Sequence, residues 1–178
     1  SSFYDGDIKS PDTKRAIMYI WMFGINGIVT YGRTWDEFDF FITTLSVFLN
    51  LSPEKRIAIY VHNLPYEWQF IRKHFKWDSV FLLDDRKPVK ARMGGLEFRC
   101  SLKLSGGKSL AVVGNELQHH NVKKAVGDLD YSLIRTPATP LNERELGYCE
   151  HDILVLNAYI DEKICGIIFI ETCCLQKT

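Results

Sequence analysis

The chain has 178 residues, of which 46% are hydrophobic and 25% are charged. At about 150 residues per domain, this length fits one compact domain, and the composition is typical of a globular core rather than a disordered tail. The 22 basic and 22 acidic side chains cancel. This balance excludes the uniformly cationic surface of a nucleic-acid coat protein but leaves room for a local basic cluster.

Membrane, export and cross-linking signals are weak in this sequence. The uncharged run over residues 16–32 is interrupted by an Asn-Gly turn and falls short of the roughly 20 residues of a membrane helix. The N-terminus lacks the basic and apolar regions of a secretory signal, so we expect a cytoplasmic protein that makes no contact with membranes. Five cysteines without a C-x-x-C spacing predict neither a disulfide framework nor a zinc site.

The first half of the chain predicts a hairpin, a helix and a strand. Asn26-Gly27 separates two runs of aromatic and β-branched residues, which predicts a β-hairpin over residues 18–25 and 28–31. Thr34-x-x-Glu37 is a capping box before apolar residues at helical spacing, so a helix should begin there. The short apolar run of residues 57–61 predicts a buried central strand.

The second half predicts a helix over residues 66–75, a hairpin with strands at 89–93 and 96–104, and a last helix. Asn142-x-x-Glu145 is the predicted cap of that last helix. The order is therefore hairpin, helix, strand, helix, hairpin, helix. It predicts an α/β fold in which helices flank a mixed sheet, because the hairpins interrupt any regular βαβ repeat.

Acidic residues near the predicted strand ends are the first candidates for chemistry. Asp5 and Asp7 are two residues apart, so on a strand both carboxylates lie on one face and can hold a hard divalent cation between them. Glu67 follows the predicted central strand closely. A solvated turn is the alternative interpretation of the Asp5-Gly6-Asp7 segment.

Two further polar groups each allow two interpretations. His62-Asn63 directly follows the central strand, where loops commonly build sites, but Asn63 could equally cap the next helix. Tyr148 and Asp152 are one helical turn apart, so they share a helix face. They serve a single site, or they form a half-buried hydrogen-bonded pair.

Taken together, the three segments resemble the exo I, exo II and exo III motifs of the DEDDy 3′–5′ exonucleases in order and spacing. Phe3-Tyr-Asp-Gly-Asp7 stands at the D-x-E of exo I, Tyr60-Val-His-Asn-Leu-Pro-Tyr-Glu67 matches exo II, and Tyr148 with Asp152 matches the Y-x-x-x-D of exo III. The chain is most similar to the proofreading domain of protein-primed family B DNA polymerases of bacteriophages. The resemblance implies a ribonuclease H-like, DnaQ-type fold over residues 1–165, with residues 166–178 as a tail or stub towards a missing polymerase body.

The resemblance also implies an activity, metal-dependent 3′–5′ DNA exonuclease. Two Mg²⁺ or Mn²⁺ ions would be held by the carboxylates of Asp5, Asp7, Glu67 and Asp152, while Tyr148 would orient the attacking water. The 3′ end of single-stranded DNA is the implied partner of a monomeric domain in the cytoplasm of a bacterial host cell. Its implied contacts are Tyr60, His62, Asn63, Tyr66, Phe70, Ser109, Leu110 and Lys124.

One departure from the family pattern bears on activity. Asp7 stands where the family has Glu, and its side chain is one methylene shorter. We therefore expect a weaker metal contact at exo I and a weakened activity. The alternative function is a catalytically impaired domain that binds single-stranded nucleic acid or serves as an interaction module.

Overall fold

The structure is a computed structural model that describes residues 2–4, 14–84, 87–122 and 133–175, with side chains over 17–84, 87–122 and 133–163. Eight strands and five helices lie in this part of the chain. In chain order they are β1 (Ser2–Tyr4), β2 (Lys14–Ala16), β3 (Trp21–Ile25), β4 (Ile28–Gly32), α1 (Trp35–Phe48), β5 (Ile57–Val61), α2 (Leu64–Ile71), β6 (Ser79–Asp84), β7 (Lys87–Met93), β8 (Leu96–Cys100), α3 (Ser101–Leu104), α4 (Leu110–Asn115) and α5 (Glu143–Leu175).

The predicted first hairpin is confirmed as the antiparallel pair β3 and β4. Its turn residues Asn26 and Gly27 have φ angles of +50° and +77°. These left-handed conformations match the twist of a two-residue hairpin, and Asn and Gly adopt them at low cost. The turn chemistry therefore determines where the chain reverses.

The predicted capping box is confirmed at the start of α1. The Glu37 backbone N–H donates to Thr34 Oγ1 at 3.2 Å, and the Thr34 backbone N–H donates to Glu37 Oε2 at 2.9 Å. These two bonds satisfy donors that a helix start leaves open. The helix packs its aromatic side onto β3, where the ring centroids of Phe23 and Phe41 are 5.0 Å apart.

The described part of the main sheet is mixed and has four strands in the order β5-β8-β7-β6. β5 and β8 are parallel, whereas β8 with β7 and β7 with β6 are antiparallel. Among the described strands β5 lies at the edge of this sheet, so the prediction of a central position for residues 57–61 is wrong for that part of the chain. A second pair, β1 and β2, is also antiparallel.

Two local predictions differ from the structure, and two elements were not expected. The predicted strand over residues 96–104 ends at Cys100, opposite Val61, and residues 101–104 form the short helix α3, because β5 offers no further pairing partner there. The predicted helix over residues 66–75 begins two residues earlier and ends at Ile71. Strand β6 and helix α4 were not predicted.

Alternation along the strands divides the main sheet into two faces. On one face Ile59, Leu96 and Phe98 contact α1 and α2, and this cluster is the larger of two described cores. The second core joins α4 to α5 through Leu110 and Val155. Helix α5 also approaches β3 closely at Gly24. In the described part of the chain, no helix is both long and apolar enough to cross a lipid bilayer.

Candidate functional site

The polar corner lies where two parallel strands end side by side. The last residues of β5 and β8, Val61 and Cys100, are register partners, so the residues that follow them are neighbours. His62 Nδ1 lies 3.1 Å from the hydroxyl oxygen of Ser101, which is completely buried. This contact orients the imidazole at the carboxyl edge of the sheet, where α/β proteins place binding groups.

The Asn63 backbone sets the direction in which α2 leaves β5. Asn63 has a left-handed conformation with φ of +62°, and its side chain makes no capping hydrogen bond. Its carbonyl oxygen accepts a bond of 2.9 Å from the backbone N–H of Tyr66. Asn63 therefore occupies the N-cap position of α2 as one interpretation expected, but its half-buried side-chain amide does not cap the helix and lies at the corner.

Glu67 is the carboxylate that this corner places on α2. Its side chain is half-buried in the first turn of α2. Burial raises the pKa of Glu67 to about 7, since desolvation disfavours the charged form. A half-buried acid with a raised pKa at a strand end is the kind of group that functional sites use.

Two aromatic side chains lie one helical turn apart beside Glu67. The rings of Tyr66 and Phe70 meet edge to face with centroids 5.8 Å apart, and 48% of Tyr66 remains exposed. An exposed ring held by an aromatic neighbour offers a face on which a base can stack. Burial and the nearby charge of Glu67 both raise the pKa of Tyr66, so its phenol stays neutral.

Helix α5 carries Tyr148 and Asp152, both half-buried, and Oδ1 of Asp152 is buried. Cys149 lies between them in sequence, and its side chain interacts electrostatically with that of Tyr19, from the segment before β3. Burial, together with the Cys149 charge, raises the pKa of Tyr19 to about 12. These contacts fix the rotation of α5 where Tyr148 and Asp152 lie.

Five other residues that the sequence predicted for the site lie either near α4 or outside the described part of the chain. Ser109 caps α4 through a bond from the backbone N–H of Val112, and Leu110 is buried against α5. Asp5, Asp7 and Lys124 lie outside the described residues. Within the described part, no three His, Cys, Asp or Glu side chains gather where they could hold a metal ion.

Tyr60 lies on the opposite sheet face from the core. Its hydroxyl accepts a bond of 3.4 Å from Arg99, whose guanidinium carbon is 6.0 Å from the centre of the ring. Sequence reasoning missed the roles of Arg99 and Ser101. The signal for both is the pairing of β5 with β8, which brings residues 39 positions apart into contact and cannot be read from local patterns.

A mixed sheet flanked by helices, with polar groups at its parallel strand ends, is consistent with a nuclease-like α/β fold. A solved structure with a related fold is phi29 DNA polymerase in a ternary complex with primer-template DNA and incoming nucleotide substrates. The TM-score is 0.58 at 17% identity, over 78% of this chain and 26% of the polymerase chain. The chain thus spans about a quarter of that polymerase. No protein-family model and no curated protein matches the chain.

Proposed function

We propose that this chain is a metal-dependent 3′–5′ exonuclease domain of ribonuclease H-like fold, acting on single-stranded DNA. Its biological role would be proofreading within a larger phage-type DNA polymerase. The observation that carries the proposal is the corner at the end of β5, where the half-buried Glu67 lies beside the exposed Tyr66, with Phe70 against its ring, and an oriented His62. The fold shared with phi29 DNA polymerase supports this interpretation.

The donor chemistry of this site suits a hard divalent cation. In this proposal Glu67 on α2 and Asp152 on α5 would provide carboxylate oxygens, the ligands that Mg²⁺ and Mn²⁺ prefer, and Asp5 with Asp7 would complete the set. Two such ions, when bound, would stabilise the charge that develops on the attacked phosphate and lower the pKa of the attacking water. The residues of the chain would then hold the substrate strand.

Each proposed substrate contact has a distinct physical task. Tyr66 and Phe70 would stack against terminal bases, at about 1–3 kcal/mol per stacked base. His62 and Asn63 would donate hydrogen bonds to the strand at the sheet edge. Tyr148 would orient the attacking water through its hydroxyl group. The proposal also includes contacts from Tyr60, Ser109, Leu110 and Lys124.

The test is a cleavage assay on end-labelled single-stranded DNA with Mg²⁺, with Mn²⁺ or with EDTA. We expect stepwise shortening from the 3′ end with either metal. Glu67→Gln and Asp152→Asn should each lower the rate by at least about a hundredfold, since each removes a charged ligand. Glu150→Gln is the matched control, because Glu150 is exposed on the same helix as Asp152. Equal rates in all three variants would refute the exonuclease proposal.

The second candidate is a domain that binds a single strand without cleaving it. Burial raises the pKa of Glu67, and a carboxyl group that favours its neutral form is a weaker ligand for a cation. The short side chain of Asp7 favours the same outcome, and Asp7→Glu should then restore shortening of the strand. Binding that falls on Tyr66→Ala, with no cleavage by the parent chain, would identify this second function.

A further inference from the structure

The sheet face that points away from α1 and α2 carries a basic cleft. Side chains alternate along a strand, so the neighbours of the core residues point to this opposite face. The cleft has a volume of about 360 Å³. We call it the basic cleft; Ala58 lines it together with the charged residues Arg56, Lys90, Arg92, Glu97 and Arg99.

A buried carboxylate organises the basic cleft from beneath. Glu97 is only 4% exposed. It nevertheless lies on the sheet face opposite the hydrophobic core that packs against α1 and α2. It accepts hydrogen bonds from Nε of Arg92 at 2.5 Å and from Nε of Arg99 at 2.7 Å. Burial alone would raise the pKa of Glu97, but the bonds from Arg92 and Arg99 hold it below its usual range. The carboxylate therefore stays ionised and fixes two guanidinium groups side by side.

The cleft keeps an excess of positive charge after this pairing. Four cations line it against the single carboxylate of Glu97. The exposed carboxylate of Glu54 interacts electrostatically with Arg56. Among the described residues, Lys90 forms no ion pair, and the hydrogen bond from Arg92 to Glu97 uses only Nε. A planar guanidinium with open N–H groups matches the geometry of phosphate oxygens.

We propose that the basic cleft binds the phosphodiester backbone of a DNA single strand whose 3′ end lies at the corner after β5. This proposal rests on the proposed function, because it extends the path of the same substrate. Tyr60 connects the two regions, since it lies on the cleft face and is only two residues before His62. Arg56 directly precedes β5, and four extended residues at 3.3 Å per residue separate it from Tyr60 by about 13 Å, so the cleft has room for more than one phosphate.

The test measures binding in EDTA, so that it depends on neither metal nor cleavage. The probe is a labelled oligothymidylate of about 16 nucleotides, titrated by fluorescence anisotropy over a salt series. Arg56→Gln with Lys90→Gln removes two charges and leaves the Glu97 hydrogen bonds intact. We expect the affinity to fall about tenfold at low salt and the slope of log K against log salt to decrease by about 1.4, or about 0.7 per lost phosphate contact.

The matched control is the double variant Lys73→Gln with Lys76→Gln. It removes the same charge from exposed positions after α2, a helix on the opposite sheet face. An equal loss of affinity in the two double variants would overturn the proposal, because only the overall charge of the protein would then matter. Full displacement of the probe by inorganic phosphate would also overturn it and indicate a site for free phosphate. The cleavage assay tests the nuclease proposal separately. It uses a substrate that is short enough to bind at the corner without reaching the basic cleft.

Discussion

Glu162 anchors the segment after α4 to helix α5, and its replacement gives the sharpest stability prediction. The carboxylate accepts bonds from the backbone N–H groups of Gln118, His119 and His120, at 3.0, 2.8 and 3.1 Å. Burial alone would raise its pKa, but these backbone bonds and the His120 side chain lower the pKa of Glu162 to about 2. Glu162→Gln should therefore destabilise the chain at neutral pH.

The size of this effect follows from linkage between protonation and folding. A decrease from 4.5 to about 2 corresponds to at most about 3.4 kcal/mol at 1.36 kcal/mol per pKa unit. The side chain is near the surface, with 14% of its area exposed, and the amide of Gln keeps one acceptor. We therefore expect a loss of about 1–2 kcal/mol, or a decrease in Tm of about 3–6 °C for a domain of this size.

The pH dependence distinguishes the charge from simple packing. Because the folded-state pKa of Glu162 is depressed, its stabilisation is complete above about pH 4.5 and is lost as the pH falls towards 2. The Tm difference between parent and Glu162→Gln, measured by circular dichroism, should be largest near pH 7 and close to zero near pH 2. Glu150→Gln serves as the exposed control on the same helix. A difference that stays constant over this pH range would refute the reasoning.

Three further substitutions test the packing of the strands and of helix α5. Glu97→Gln should lower the free energy of unfolding, measured in urea, by about 2 kcal/mol, because Arg92 and Arg99 lose the buried carboxylate with which both pair. A change under about 0.5 kcal/mol would contradict this. Gly24→Ala should destabilise by about 1–3 kcal/mol, because a Cβ there would lie 2.5 Å from Asn157 Nδ2 and from Ile153 Cγ2. Gly147→Ala should instead stabilise by about 0.5–1 kcal/mol, because its Cβ meets nothing within 4 Å on a helix, and equal Tm shifts in the two alanine variants would refute the packing argument.

Local signals explain which elements could be predicted. The hairpin turn at Asn26-Gly27 and the caps at Thr34 and Asn142 are each complete within four residues, and all three form as expected. Their hydrogen bonds need no distant partner, so the sequence contains the whole interaction. The alternation of residues 89–93 likewise indicated strand β7, because Val89 and Met93 pack against the core from the same face as the buried Ala91.

The failures occur where a distant partner decides the local structure. Residues 101–104 have strand-like composition, but β8 ends where its neighbour β5 ends, and the chain turns into α3. Strand β6 lacks the alternating signal because all six of its residues are exposed at the sheet edge, including the apolar run from Val80 to Leu83. Residues 79–84 form a strand because they pair with β7, and the local sequence contains no signal for that pairing.

The same distinction applies to the candidate site. The positions of His62, Glu67 and Tyr66 could be inferred, since a strand followed directly by polar residues and a helix brings them to one sheet edge. Their chemical properties could not be inferred. The raised pKa of Glu67 comes from burial by the folded chain, and the orientation of His62 comes from Ser101, 39 residues away.

The parallel pairing of β5 with β8 links the corner to the basic cleft. One register brings Val61 beside Cys100, which places His62 next to Ser101 at the strand ends. The same register brings Tyr60 beside Arg99 on the outer face. A shift of one residue would move the side chains of one strand to the wrong face of the sheet. Both contacts would then be lost together, so the stacking corner and the cationic face are consequences of a single strand alignment.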